Sequence, residues 1–328
     1  GLFVVEDGNT KQFTEDIFQK NALLINELNA IFSDNAGNIW VGSQRGISVF
    51  NVEETGILGY GPSGNELKGI PTPNVWSFAE SKSGRYTFIG TDRAVSRWDR
   101  KTGTFQQYYR NKEHSTLATG EMDVLGLHVV SDNLLLVACA DGAYELSIYQ
   151  GGYDFKQIQS SEMSPELFKS YSILHWKEAQ YFIATRGGVL LYDLNSKKIN
   201  TYQHDPKNPQ STLTEGICRV SYKDPKGNVW FATSVGGLSQ LKEREGAPVI
   251  VPYKFNKQLR KASPDYITSI YVDDDGNFWL STLGAGLIMW NEASRTVKTY
   301  DESDGLPNGV IYSVLEGSEG NLWLSTNK

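Results

Sequence analysis

The stretch that decides the fold is Gly37-Asn-Ile-Trp-Val-Gly-Ser43, because close copies of it recur along the chain. Three copies keep the tryptophan: Gly227-Asn-Val-Trp-Phe-Ala-Thr233, Gly276-Asn-Phe-Trp-Leu-Ser-Thr282 and Gly320-Asn-Leu-Trp-Leu-Ser-Thr326. Shorter copies of its second half are Phe88-Ile-Gly-Thr91, Leu136-Val-Ala-Cys139 and Phe182-Ile-Ala-Thr185. The Trp40 position and its six equivalents are 48, 48, 46, 48, 49 and 44 residues apart. A period of this length predicts four-stranded propeller blades.

Each copy sits in the same local pattern. A strand of alternating apolar residues, such as 28–33 or 267–272, leads into a turn that contains Gly37 or Gly276, where a tight hairpin needs a positive φ. The next strand carries a large apolar residue, a small residue and then a hydroxyl or thiol. The small position predicts close packing between neighbouring blades. The fold class predicted is all-β, a seven-bladed β-propeller with four-stranded blades.

The two ends of the chain predict how the propeller closes. The last copy runs out at Lys328, after two strands, and the chain opens with the apolar run Gly1 to Val5. Joining these ends places Gly1 six residues after Trp323, which is the spacing of Trp40 and Gly46. We therefore expect the N-terminal strands to complete the C-terminal blade, which removes two free sheet edges. An open repeat stack is the alternative, and it leaves half a blade unpaired at each end.

Composition and charge exclude several classes of protein. The chain has 328 residues and a formal net charge of -7, the wrong sign for general attraction to nucleic acid. Its two cysteines, Cys139 and Cys218, make no disulfide framework, and we expect both to be small buried thiols. No apolar run is long enough to span a membrane.

Catalytic and metal-binding constellations are missing from the sequence. The four histidines, His114, His128, His175 and His204, fall in different blades. The run Asp273-Asp-Asp-Gly276 suggests calcium, but it lacks the ligand spacing of a calcium loop and coincides with the hairpin turn of other blades. We therefore predict no enzyme activity, no metal site and no cofactor for this chain.

The repeats resemble the two-component regulator propeller repeat. The resemblance rests on the Gly-Asn-x-Trp-x-small-Thr core, on Gly236-Gly-Leu238, on the linker His204-Asp-Pro-Lys-Asn-Pro-Gln-Ser-Thr-Leu213 and on Asp304-Gly-Leu-Pro-Asn308. It implies a sensor propeller from a Bacteroidetes hybrid two-component system histidine kinase. It also implies a periplasmic location within an inner-membrane protein, a second propeller and an immunoglobulin-like domain as neighbours, a homodimeric receptor and an oligosaccharide ligand. The mid-blade ends fit the second propeller slightly better than the first.

The whole chain is predicted to form one domain. Its closing blade combines residues 1–20, as outer strands, with residues 309–328, as inner strands. The other six blades are predicted at 22–64, 65–120, 121–164, 165–215, 216–264 and 265–308.

The candidate ligand site is the face that carries the loops between second and third strands, because loops that converge on a rigid scaffold commonly bind ligands. Those loops bring Arg45, Arg93, Arg186 and Lys328 to one face of an acidic chain. The starts of the first strands add Asn29, Arg219 and Tyr312. Guanidinium groups suit carboxylate and sulfate groups and sugar hydroxyls, so the predicted ligand is an oligosaccharide that is acidic or rich in hydroxyls. The alternative is that these are solvated loop charges neutralised by Asp92 and Asp141.

Two other functions stay open at this point. The propeller could serve only as a spacer or dimerisation surface while another domain binds the ligand. It could also be a lyase, since fold alone does not decide function, although a lyase needs a His and Glu cluster that the aligned loops do not show.

Overall fold

Twenty-eight strands arranged in seven antiparallel sheets account for nearly all regular structure in the computed structural model. It describes residues 1–6, 9–15, 22–50, 57–110, 122–209, 212–254, 262, 266–317 and 320–327. Each sheet has four strands. The helical segments in these ranges are two single 3-10 turns, Pro165–Leu167 and Glu302–Asp304. No helix among the described residues is long and apolar enough to cross a membrane.

Apart from the closing sheet, each sheet consists of four strands that are consecutive in the chain. The closing sheet takes β1 (Leu2–Glu6) and β2 (Asn9–Phe13) from the start of the chain. The next sheet holds β3 (Leu28–Ser33), β4 (Ile39–Ser43), β5 (Ile47–Phe50) and β6 (Ile57–Tyr60). It is followed by β7 (Val75–Glu80), β8 (Tyr86–Thr91), β9 (Val95–Asp99) and β10 (Thr104–Tyr108). Then come β11 (Val124–Ser131), β12 (Leu134–Cys139), β13 (Gly142–Tyr149) and β14 (Gly152–Ile158).

The second half of the chain repeats this arrangement. Its first sheet has β15 (Ser170–Lys177), β16 (Gln180–Thr185), β17 (Gly188–Asp193) and β18 (Ile199–Tyr202). The next has β19 (Cys218–Lys223), β20 (Val229–Thr233), β21 (Gly237–Arg244) and β22 (Ala247–Pro252). The last complete set is β23 (Ile267–Val272), β24 (Asn277–Thr282), β25 (Leu287–Asn291) and β26 (Thr296–Tyr300). The chain ends with β27 (Ile311–Glu316) and β28 (Leu322–Thr326).

The closing sheet has the order β2-β1-β28-β27, so the two ends of the chain share one blade. Strand β1 pairs antiparallel with β28, with Leu2 opposite Ser325 and Val4 opposite Trp323. The hydroxyl of Thr326 donates to the carbonyl of Gly1 at 3.2 Å. The predicted closure is therefore confirmed, and the fold is an all-β, seven-bladed β-propeller with four-stranded blades.

The chain divides into two compact units, Gly1–Ile158 with Leu315–Lys328, and Gln159–Val314. The predicted limits of the blades stay a prediction, and those at residues 20, 120–121 and 264–265 lie outside the described residues.

In three of the four blades that keep the repeat tryptophan, an aspartate carboxylate holds the hairpin between the first and second strands; Asp34 and Asp224 are buried, and Asp273 is half-buried. Asp224 accepts hydrogen bonds from the Asn228 backbone and side chain, at 2.7 and 2.9 Å, and from Trp230 Nε1 at 3.0 Å. The Asp34 and Asp273 carboxylates accept the same three kinds of bond from the equivalent Asn and Trp. This geometry, repeated in three blades, links the turn to the aromatic core, because the indole can reach its acceptor only when the hairpin is closed. We call Asp34, Asp224 and Asp273 the turn aspartates.

The small residue after each large apolar residue lets neighbouring blades approach. A Cβ added at Gly42 would lie 2.7 Å from Val75 Cγ1 of the next blade, and one at Gly90 would lie 2.6 Å from Val124 Cγ1 of the next blade. In five of the seven copies the large apolar residue is buried: Trp40, Phe88, Leu136, Phe182 and Trp230. Trp279 and Trp323 are half-buried.

We predict that the turn aspartate and its tryptophan stabilise the fold together. Asp224→Ala strands the Trp230 and Asn228 donors in a buried site, and we expect it to lower the free energy of unfolding by about 2–4 kcal/mol. Trp230→Ala should cost about 3–5 kcal/mol. Denaturant unfolding of both single variants and the double variant measures their coupling, with the exposed Asp275→Ala as control. Strictly additive losses would contradict the prediction.

We also predict that deleting residues 1–16 lowers thermal stability strongly and promotes aggregation. The deletion removes β1 and β2, which exposes the edge of β28 and uncovers the core residues packed against buried Leu2 and Phe3. The measurement is the melting temperature by circular dichroism together with light scattering. An unchanged melting temperature would rule out a structural role for the N-terminal strands.

Candidate functional site

A β-bulge at the second residue of the first strand turns one side chain per blade out of register. The register shifts at Asn29, Trp76, Leu125, Tyr171, Arg219 and Thr268. A bulge leaves one residue without an opposite partner and re-aims its side chain, and bulges are common next to functional sites. Two of the predicted site residues, Asn29 and Arg219, are such bulge residues.

Bulge residues with short polar side chains tie one blade to the next. The Asn29 side-chain amide donates to the Val75 carbonyl at 3.2 Å, and the Thr268 hydroxyl donates to the Ile311 carbonyl at 2.6 Å. Val75 directly precedes the bulge residue Trp76 of the neighbouring first strand, and Ile311 is the first residue of β27. Asn29 therefore links two blades, and its predicted part in the ligand site stays a prediction.

Arg219 is also a bulge residue, but its side chain does not donate to a backbone carbonyl of the next blade among the described residues. Its guanidinium carbon lies 4.6 Å from the ring centroid of Tyr171 and 5.7 Å from that of Tyr266, within cation–π range of both. Its Nε atom is buried and has no hydrogen-bond partner among the described residues. These three residues come from three consecutive blades of the second unit, and we refer to them as the Tyr171–Arg219–Tyr266 cluster.

The backbone around the cluster is unusual at Tyr266. This residue has a φ of 52°, in the left-handed region that a non-glycine residue rarely adopts, and its carbonyl accepts from the Leu283 backbone at 3.2 Å. Such strain concentrates at ligand-binding and switch positions. The conformation fixes the tyrosine beside Arg219, at the start of β23.

Further cations lie beside the cluster. Lys169 Nζ is 5.8 Å from the Tyr171 ring centroid, and the Arg186 backbone donates to the Lys169 carbonyl at 2.8 Å. Burial raises the pKa of Tyr171, while the charges of Arg219 and Arg186 oppose that rise. Lys169, Arg186 and Arg219 form no ion pair within the described part of the chain. The cluster is therefore a positively charged, aromatic surface in a protein of net charge -7.

The predicted site residues of the first unit have different surroundings. Arg45 is exposed and Arg93 half-buried, and neither forms an ion pair with any residue that the structure describes. Asp92 accepts from the Thr72 hydroxyl and, at 3.0 Å, from the Asn74 amide. Asp141 pairs with Arg110. The two aspartates are thus engaged locally, whereas the alternative interpretation had them neutralise the loop arginines.

The structure does not test whether all the predicted residues meet. Arg45, Arg93, Asp92, Asp141 and Asn29 lie in the first unit, whereas Arg186, Arg219 and half-buried Tyr312 lie in the second. Their convergence on one ligand therefore stays a prediction. Lys328 and His114 lie outside the described residues.

The remaining chemistry-bearing residues have local structural roles. His175 Nε2 lies 2.8 Å from the Glu178 carbonyl and His204 Nδ1 lies 2.9 Å from the Leu213 carbonyl. Cys139 and Cys218 are free and buried, and burial raises the pKa of both thiols, that of Cys139 to about 12. No group of three or more His, Cys, Asp or Glu side chains among the described residues could hold a metal ion.

Sequence reasoning missed Tyr171 and Tyr266. Tyr171 lies in one of the weakest repeats, and Tyr266 precedes its strand. A signal was available for Tyr171, because it occupies the same repeat position as Arg219. Each is the second residue of the first strand of its blade.

We predict that the Tyr171–Arg219 contact is visible in the titration of Tyr171. Tyr171 should titrate above the ordinary range, and Arg219→Met, which keeps most of the side-chain volume, should raise its pKa further because the cation that favours tyrosinate is gone. The measurement is NMR of ring-labelled tyrosine, assigned with Tyr171→Phe, and exposed Arg244→Met is the control. An unchanged or lowered pKa in the Arg219 variant would contradict the contact.

Comparisons with known proteins support the assignment of the repeats. The family model of the two-component regulator propeller matches residues 262–284 and 305–328. Over 270 residues, 77% of this chain, the sequence is 24% identical to Histidine kinase P4 of Formosa agariphila and spans 18% of that protein. The resemblance of the repeats to this family is confirmed.

Solved structures show the same fold. The extracellular domain of a protein described as a hybrid two-component system of B. thetaiotaomicron superposes with a TM-score of 0.70 and 21% identity, over 92% of this chain and 39% of that one. A second B. thetaiotaomicron extracellular domain, described as a one-component system, gives a TM-score of 0.68 at 18% identity, over 97% and 39%. The chain thus spans well under half the length of these relatives. The family model that matches these residues describes a propeller of two-component regulators.

Proposed function

We propose that this chain, which carries two-component regulator propeller repeats, is a ligand-sensing propeller in the extracytoplasmic, periplasmic part of a two-component receptor. The ligand is an oligosaccharide with acidic groups or many hydroxyls, released during polysaccharide breakdown. The neighbours proposed for it are a second propeller and an immunoglobulin-like domain of the same receptor, which acts as a homodimer. The similarity to extracellular domains of regulators supports the sensing role.

The observation that carries the ligand proposal is the Tyr171–Arg219–Tyr266 cluster. A guanidinium that lies over two aromatic rings is held in one orientation, so little side-chain entropy is lost when it binds an anion. Its Nε–H lacks an acceptor, and a ligand carboxylate, sulfate or hydroxyl would supply one. The tyrosine rings offer apolar faces to the C–H groups of a sugar and hydroxyls to its oxygens. Arg186 and Lys169 add positive charge beside them.

The chain contains a matched control for this chemistry. Arg97 in the first unit also lies over two tyrosines, with its guanidinium carbon 4.4 Å from the Tyr86 ring centroid and 5.8 Å from that of Tyr108. Its guanidinium, however, donates to Gln106 Oε1. Arg97→Ala therefore removes a comparable stack whose donor is already satisfied.

The test is calorimetric titration of the full chain with a panel of neutral, uronic-acid-containing and sulfated oligosaccharides. We expect Arg219→Ala to weaken binding of the best ligand roughly ten- to a hundredfold, as loss of one charge-assisted hydrogen bond of about 1.5–3 kcal/mol implies. Arg219→Lys should recover only part of the affinity, because an ammonium cannot reproduce the planar fork. Arg97→Ala should leave affinity unchanged.

Three outcomes would redirect the proposal. If an oligosaccharide binds and Arg219→Ala does not alter its affinity, the cluster is not the site. If Arg45→Ala and Arg93→Ala weaken binding as well, the wider predicted face takes part. If no oligosaccharide of the panel binds, the role as a spacer or dimerisation surface replaces ligand recognition by this chain.

A further inference from the structure

A second site candidate lies at the opposite end of strand β19 from Arg219. There the hairpin turns of two neighbouring blades of the second unit enclose a cleft of about 390 Å³. One wall is the turn between β19 and β20, with Asp224 and Lys226. The other is the turn between β23 and β24, with Asp273 to Gly276. The aspartate run that the sequence assigned to a hairpin turn therefore also forms one side of a cavity.

The carboxylates of this cleft fall into two groups. Asp224 and Asp273 are turn aspartates, whose oxygens each hold an asparagine and a tryptophan. Asp274 and Asp275 sit at the exposed tip of the turn and have no such structural task. Glu292 lines the cleft as well and accepts from the Tyr253 hydroxyl. Five carboxylates against the single ammonium of Lys226 make the lining strongly negative.

An independent observation marks the cleft as a binding site. Gln240, on β21, lines it with a side chain that is only 9% exposed. Its amide has no hydrogen-bond partner among the residues that the structure describes, although two donors and an acceptor are available. The residue as a whole is nine-tenths buried and lines the cleft, so its unpartnered amide is available to a ligand there.

The charge and the volume decide the class of ligand. A metal ion needs three or more ligands at short range, and the described residues of the cleft do not converge in that way. An ammonium group makes longer, less directional contacts and is attracted by carboxylates that surround it at a distance. A volume of about 390 Å³ accommodates one sugar-sized ring. The amide of Gln240 can bond the hydroxyls of such a ring.

We propose that the cleft between these two turns binds a small hydroxylated amine about one ring in size, with Asp274, Asp275 and Glu292 attracting its ammonium group and Gln240 bonding a hydroxyl. The site is separate from the Tyr171–Arg219–Tyr266 cluster and does not depend on the function proposed for it.

The test uses glucosamine as the probe, with glucose and N-acetylglucosamine as neutral analogues, in calorimetric titrations of the full chain at slightly acidic pH. We expect glucosamine to bind, glucose and N-acetylglucosamine to bind at least about tenfold more weakly, and added salt to weaken glucosamine binding. The double variant Asp274→Asn/Asp275→Asn should reduce affinity about five- to tenfold. Gln240→Leu should reduce it about tenfold, since a ligand hydroxyl then loses its partner.

The matched control is Asp132→Asn/Asp154→Asn, which changes net charge equally but lies on the blade of β11 to β14. It should leave glucosamine affinity unchanged. Circular dichroism melting confirms that each variant is folded, and Asp274→Asn/Asp275→Asn provides a readout even if Gln240→Leu proves unstable. The proposal is overturned if glucosamine does not bind, if glucose binds equally well, or if the control double variant loses as much affinity as Asp274→Asn/Asp275→Asn.

Discussion

Three blades depend on one interaction, the carboxylate of the turn aspartate accepting from the indole of the tryptophan six residues later. Asp34 is only 4% exposed and Asp224 only 6%, so each anion would be costly if it were not satisfied. Each receives several N–H donors from its own hairpin, and Asp34 in addition pairs with Arg100 from the next blade. The hairpin, the core and, at Asp34, the contact between blades are therefore coupled through a single side chain.

Two blades without the turn aspartate show that the hairpin needs a hydrogen bond at this position and not an aspartate as such. The closing sheet has Gly317 where the aspartate would stand, and there Trp323 Nε1 donates to Asn321 Oδ1 at 3.1 Å. In the blade of β7 to β10, Ser81 takes the aspartate position and its hydroxyl accepts from the Tyr86 backbone. That blade has Phe88 at the tryptophan position, so no indole at this position requires an acceptor. At these two turns the acceptor changes together with the donor.

The sequence predicted the parts of the fold that repeat and missed the parts that depend on unrelated neighbours. The period, the hairpin glycines, the small residues and the closure by Gly1 all follow from comparing one copy with the next. The turn aspartate was visible as part of a turn, but its bond to the indole requires the hairpin to be folded. Tyr171, Arg219 and Tyr266 come from three blades: Tyr171 lies in a weak repeat, and Tyr266 precedes its strand, so the repeat does not show that their side chains meet. Arg219 was found from its place at the start of a strand, and its aromatic partners were not.

The two proposed sites lie at opposite ends of strand β19. Their opposite local charges explain why both can exist in one acidic protein. Strand β19 runs from Cys218 to Lys223, with Arg219 near its start and Asp224 directly after its end, so roughly 16 Å of backbone separates Arg219 from Asp224. That distance exceeds the screening length of about 8 Å at physiological ionic strength. Each proposed ligand is therefore expected to respond to its local charge and not to the net charge of -7. The repeat suits this separation, because six of the first strands have a bulge residue at one end and lead into a turn at the other.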